Sequence, residues 1–191
     1  MNRNKTRQRE LLPAVTARLR EIDPACSILV IGSIQHAYER PGSDIDVIVI
    51  AHDDAQIDPA QWEIKSDNRG IKSLAGTVAG VHVGVFFATV SGMERWLRET
   101  PYHLYPFSRG EVLQDPDGLA ERYQPVAREY FAAHPAIAEA WEDQLKAHKQ
   151  VKLTGRDKDG CFRTEEGEVR KYRTLDEFAE HILEMAKGEP A

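Results

Sequence analysis

Two aspartates one residue apart, Asp44 and Asp46, open an otherwise apolar run that ends near Ala51. On an extended strand alternate side chains share a face, which sets both carboxylates on one side, about 7 Å apart along the chain. Side by side they repel each other and lose hydration, which gains nothing for folding but suits a divalent cation. Mg²⁺ is commonly held by one or two carboxylates together with substrate phosphates. Upstream, Gly32-Ser33 follows the continuous apolar run Ser27-Ile28-Leu29-Val30-Ile31. A glycine there lets backbone N–H groups approach a phosphate closely, and the Ser33 hydroxyl adds a hydrogen bond. A helix beginning near Ser33 would point its positive end at the same phosphate.

The elements that must position these groups can be read from the pattern. Leu11, Leu12, Val15, Leu19 and Ile22 fall on one side of a helix over residues 6–22, stopped by Asp23-Pro24. Ser27 to Ile31 and Asp44 to Ala51 read as buried strands, joined through a polar segment that closes at Pro41-Gly42. Residues 52–69 are polar and predict a loop. Ile71 to Val78 and Val81 to Ala88 predict two further strands meeting at Ala79-Gly80. Ser91-x-x-Glu94 has the form of a capping box, predicting a helix from about Gly92 to Glu99. Glu111 to Gln114 is a short strand candidate, and Asp115-Pro116-Asp117-Gly118 a strong turn. Helical patterns follow over 119–133 and 136–149, broken at His134-Pro135. A charged, glycine-punctuated tail leads to a last helix capped by Thr174-x-x-Glu177. Strands first and helices later imply an α+β fold: a small mixed sheet over residues 1–120, then a helical C-terminal region with a charged tail over 121–191.

Gly32-Ser33, nine residues, then Ser43-Asp44-Ile45-Asp46-Val47 is similar to the signature of the DNA polymerase β-like nucleotidyltransferases, and most of all to the small bacterial and the aminoglycoside and lincosamide members. Arg40-Pro41 matches a frequent form of that motif, and the strand and turn over 110–118 resemble those preceding the family's helical region. The resemblance covers roughly residues 11–120. It implies Mg²⁺ (or Mn²⁺) on Asp44 and Asp46, and a nucleoside triphosphate, ATP among the candidates, on Gly32, Ser33, Ser43 and Arg40. It further implies attack of an acceptor hydroxyl on the α-phosphorus, the acceptor being a small molecule, a protein or an RNA.

One part of the family pattern is missing. The family supplies a third carboxylate from a neighbouring strand, and in Val81-His82-Val83-Gly84-Val85-Phe86-Phe87 that place falls on Gly84. His82, on the same face, is a candidate substitute base or ligand. Acids of the 52–69 segment (Asp53, Asp54, Glu63, Asp67) are a second source. The third possibility is a domain that binds nucleotide or a partner protein without transfer, as in some toxin–antitoxin pairs. The family also often has Arg and Gly where this chain has His36 and Ala37.

The rest of the 191-residue sequence bounds the reading. With 41% hydrophobic and 29% charged residues it has an ordinary globular composition. A net charge of −6 does not suggest a general nucleic-acid binder. Basic residues cluster at Arg3, Lys5, Arg7, Arg9, Arg18 and Arg20, and again from Lys146 to Arg173; solvated faces are the ordinary account of both. Lys65, Arg69 and Lys72 are weaker candidates for triphosphate contacts. Tyr102, His103, Tyr105 and Phe107, like Trp62, Trp96 and Trp141, suit packing. Cys26 and Cys161 form no disulfide framework or metal-ligand spacing, which fits a reducing cytoplasm. No apolar run suits a membrane span, and the first residues lack a signal-peptide apolar region.

Overall fold

The structure is a computed structural model that describes residues 6–37, 39, 42–68, 70–154, 161–164, 167–170 and 175–188. It divides into two compact units, Met1–Ala127 and Arg128–Ala191. The first carries α1 (Arg7–Leu19), β1 (Ser27–Ile31), α2 (Gly32–Gln35), β2 (Ile45–Ala51), β3 (Glu63–Asn68), β4 (Ile71–Val78), β5 (Val81–Thr89), α3 (Val90–Glu99), α4 (Tyr105–Arg109) and β6 (Glu111–Gln114). A longer helix, α5 (Leu119–Ala133), runs into the second unit, which continues with α6 (Pro135–Thr154), a hairpin of β7 (Cys161–Thr164) and β8 (Gly167–Arg170), and α7 (Leu175–Gly188). Among the described residues no helix is long and apolar enough to cross a membrane.

The first unit is built on one six-stranded sheet in the order β3-β4-β5-β2-β1-β6. Only β2 and β5 run parallel; every other neighbouring pair is antiparallel. This mixed sheet, with its helices, is the α+β fold that the order of elements implies. The two central strands read as continuous apolar runs because both faces are covered. On one face Ile28, Val30, Val47, Val49, Val83 and Val85 pack under Leu12, Val15 and Leu19 of α1. On the other, Leu29 and Ile48 are buried, and α4 lies against β1 with Leu104 and Phe107 fully enclosed. In the second unit Trp141 meets Phe178 edge-on, ring centroids 4.6 Å apart, beside buried Ile137 and Ile182.

Two expectations are corrected. Residues 52–69 are not all loop, since Glu63–Asn68 pairs with β4 as an edge strand. All six of its residues are exposed, so backbone hydrogen bonds alone hold it and no buried face marks it in the sequence. Likewise α3 starts at Val90, capped by Thr89 rather than Ser91: the Gly92 N–H donates to the Thr89 hydroxyl at 3.1 Å. Ser91 instead donates its N–H and hydroxyl to Asp53, while Glu94 accepts from Arg122 and Tyr123. The Thr174 cap lies outside the described residues.

The β4–β5 hairpin turns on Ala79-Gly80, with Val78 opposite Val81 and both turn residues at positive φ, +49° and +79°. A two-residue turn of this hand follows the sheet twist but strains a residue that has a Cβ. Ala79→Gly is therefore expected to raise unfolding stability by about 0.5–1 kcal/mol, as measured by urea denaturation.

At the far end of β2, His52 joins three segments. Its Nδ1 lies 2.9 Å from Asp23 Oδ2, its backbone N–H donates to the same oxygen at 2.9 Å, and its Nε2 faces Asp117 at 3.4 Å. The hydrogen bond to Asp23, opposed by slight burial and helped by the fields of Asp23, Asp117 and Asp54, holds the imidazole above its ordinary 6.5. Burial pushes the Asp23 carboxyl up, but hydrogen bonds from His52 and Ala25 outweigh it and hold that group below 3.8. A raised histidine contributes stability that is complete below the unfolded value and lost as pH rises through the folded one; a depressed carboxyl contributes above its unfolded value. Both contributions coexist between about pH 4 and 6.5. The side chain of His52 is 40% exposed, so His52→Gln is expected to cost no more than about 1 kcal/mol at pH 5.5 and less at pH 8.5. Urea denaturation at the two pH values checks this.

Candidate functional site

β1 ends in Ile31, and the chain turns at Gly32 with φ +68°, a left-handed conformation that a Cβ would strain. The α2 helix that follows is a single turn, so it offers its few unbonded N–H groups rather than a summed helix dipole. The Ser33 hydroxyl is buried and is the one buried side-chain polar atom among the described residues without a hydrogen-bond partner. An unpaired buried hydroxyl costs roughly 1–3 kcal/mol, which a bound acceptor oxygen would offset. Two positions beyond α2, Ala37 has φ +55°, a left-handed conformation that is uncommon for a residue with a Cβ.

Antiparallel pairing sets Ile31 beside Asp46, and the parallel pairing of β2 with β5 sets Asp46 beside Gly84. The Asp46 carboxylate therefore lies between two glycines. A Cβ on Gly32 would stand 3.0 Å from Asp46 Oδ2, and a Cβ on Gly84 would stand 3.0 Å from Oδ1. Both bare backbones make room for this side chain. Asp44, just before β2, is half exposed and faces His82, with 3.7 Å between Oδ2 and Nδ1. A groove of about 560 Å³ opens there, lined among others by Arg7, Gln8, Glu39, Ser43, Asp44 and His82. Gly32, Ser33 and Asp46 are not in its lining. The motif thus forms two adjoining groups, Gly32, Ser33, Asp46 and Gly84 on the sheet and Ser43, Asp44 and His82 at its rim. Arg40 lies outside the described residues.

The acids of the 52–69 segment lie elsewhere. Asp53 follows β2 at its other end, roughly 20 Å along the strand from Asp46, and is held by Ser91. Glu63 and Asp67 sit on edge strand β3, paired with Lys65 at 2.6 Å and Lys72 at 2.9 Å. Lys65, on β3, is separated from Asp46 by β4 and β5, and Lys72, on β4 opposite Phe87, lies three residues along β5 from Gly84, the neighbour of Asp46. Arg69 lies outside the described residues.

Sequence reasoning missed how the N-terminal basic residues are used. Arg7 donates to Ala79 O at 2.8 Å, and Arg18 to Gln61 and Thr77 O while lying over the Trp62 ring. Arg9 reaches Ile34 O and Glu39. No periodicity signals these bonds, because each joins residues far apart in the chain. Cys26 is fully buried, and burial pushes its thiol up to about 12, so it is an inert core group.

The residues present suit a divalent ion in one way only. Among the described residues no group of three or more ligating side chains forms. Asp44 and Asp46 would hold Mg²⁺ as a carboxylate pair that leaves the remaining positions to phosphate and water, and such a donor set fits this ion.

No family model and no curated protein matches the chain. Its structure is similar to that of a nucleotidyltransferase-like protein from Exiguobacterium sibiricum 255-15, with 11% identity, 75% of this chain and 47% of that one covered, and a TM-score of 0.41. It is also similar to a cytoplasmic RNA terminal U-transferase, with 17% identity, 53% of this chain and 36% of that one covered, and a TM-score of 0.32. The chain spans less than half the length of either protein. Likenesses of this size carry no argument about the site.

Proposed function

We propose that Gly32, Ser33, Asp44 and Asp46 bind the magnesium (or manganese) salt of a nucleoside triphosphate, and that the chain transfers the nucleoside monophosphate to a hydroxyl acceptor. The observation that carries this reading is the Asp46 carboxylate seated between Gly32 and Gly84, with the unpartnered Ser33 hydroxyl on the residue that follows Gly32. The bound ion supplies Lewis acidity toward the phosphates. Gly32 lets the backbone approach the triphosphate, and the Ser33 hydroxyl donates to a phosphate oxygen. The acceptor, a small molecule, a protein or an RNA, enters along the groove beside Asp44 and His82. With Nδ1–H turned to Asp44, His82 takes the acceptor proton at Nε2. The acceptor oxygen bonds to the α-phosphorus as the bond from phosphorus to the α–β bridging oxygen breaks, and pyrophosphate leaves with that electron pair.

A second reading, nucleotide or partner binding without transfer, is favoured by Gly84 in place of a third acid. One experiment separates the two. Full-length protein is incubated with each α-labelled triphosphate, Mg²⁺ or Mn²⁺ and cell extract, and triphosphate binding is measured in parallel by calorimetry. Label on an acceptor supports transfer. Binding without label replaces transfer by the second reading, and absence of binding overturns the nucleotide site itself.

A further inference from the structure

The segment between Gly32-Ser33 and Asp44-Asp46 is gripped at three points by the first turn of α1. At its start, Arg9 Nη2 donates to Ile34 O. At its end, Gln8 Nε2 donates to Ser43 O at 3.1 Å in a buried contact. Between them lies Glu39, whose side chain is only 3% exposed. Its Oε1 accepts from the Thr6 hydroxyl at 2.9 Å and lies 3.4 Å from Arg9 Nε. Thr6 is at the same time the N-cap of α1, accepting the Arg9 N–H at 3.3 Å. A largely enclosed carboxylate is costly unless it is paired. In the chain Glu39 stands between Gly32-Ser33 and Asp44-Asp46, and its contacts tie that position to the first turn of α1.

We infer that Glu39 is a positioning residue: through Thr6 and Arg9 it holds the Asp44 rim against the Gly32-Ser33-Asp46 group that strand pairing already fixes, so that metal and triphosphate bind as one unit. This inference rests on the nucleotide-site reading above. A register device acts on the coupling between two ligands rather than on either alone, because each half of the site keeps its own groups.

The test uses the full chain, Mn²⁺ alone, and each of the four α,β-methylene triphosphates, which bind without transfer. Free Mn²⁺ is counted by electron paramagnetic resonance, and nucleotide affinity is measured by calorimetry with and without Mn²⁺. In the unaltered protein Mn²⁺ is expected to tighten the nucleotide about tenfold or more. Glu39→Ala is expected to bring that factor below about threefold while affinity for Mn²⁺ alone changes less than about twofold. Glu39→Gln keeps an acceptor for the Thr6 hydroxyl and is expected to restore most of the coupling, with a folded state confirmed by circular dichroism. Full coupling in Glu39→Ala overturns the inference. So does a loss of Mn²⁺ affinity equal to the loss of coupling in both variants, which marks general damage. No nucleotide binding in the unaltered protein overturns the site reading, and this inference with it.

Discussion

Asp46→Asn is expected to lower Mg²⁺-dependent transfer by about 10³-fold, since a lost charge on the metal is a matter of several kcal/mol. The amide keeps the shape of the carboxylate, so the space between Gly32 and Gly84 stays filled. What goes is the negative charge that would face the ion. Stability should change far less than transfer does. Asp46 has a polar partner of its own, so relief of the repulsion between the two carboxylates is set against a weakened contact, and the net change should stay within about 1 kcal/mol. Asp44→Asn should also impair transfer, but less, because Asp44 is half exposed and faces His82 across 3.7 Å. Steady-state transfer rates and thermal unfolding on the same preparations check both arms. Transfer within tenfold of the unaltered protein would remove Asp46 from the site, and a large drop in unfolding temperature would make it a structural group instead.

That opposition between function and stability also governs what could be read from the residues alone. Helix α1 announces itself because burial of one side imposes a period on its apolar residues, β5 because alternate residues are buried, and β1 and β2 because enclosure on both faces leaves continuous apolar runs. β3 does not, because all six of its residues are exposed and five of them are polar, with Ile64 the one apolar exception. The sequence pattern puts the cap of α3 two residues late because Thr89 and Ser91 are both good caps by type, and only the partner of Ser91, Asp53 from another segment, decides between them. The Asp pair is visible as acids within an apolar strand. The clamp on Glu39 is not, since Thr6 and Glu39 stand 33 positions apart and carry no pattern linking them. Gly84 was legible only as a gap in a motif. The pairing of β2 with β5 gives it a physical role that no motif states, which is space for the Asp46 carboxylate.

If that role is right, alanine at the two flanking glycines should fail in different ways. A Cβ at Gly84 meets one atom only, Asp46 Oδ1 at 3.0 Å, and no unusual backbone angle is involved. The carboxylate must turn aside by a few tenths of an ångström. Glycine weakens a strand interior, so Gly84→Ala should leave stability unchanged or raise it by up to about 0.5 kcal/mol. Misplacing a reacting group by about 1 Å can cost 10²-fold, so this smaller shift should cost metal–nucleotide binding and transfer about tenfold. Gly32→Ala carries the same crowding, 3.0 Å from Oδ2, and adds a left-handed φ of +68°. That strain is about 1–2 kcal/mol, reduced by the smaller entropy of the unfolded alanine chain, for a net loss near 1 kcal/mol. The turn that presents Ser33 should move as well, so transfer should fall about 10²-fold. Urea denaturation and calorimetric titration of Mn²⁺ with an α,β-methylene triphosphate separate the two variants. A stable Gly84→Ala protein with full affinity would show that the carboxylate does not need the space, and the two-glycine seat would lose its part in the site.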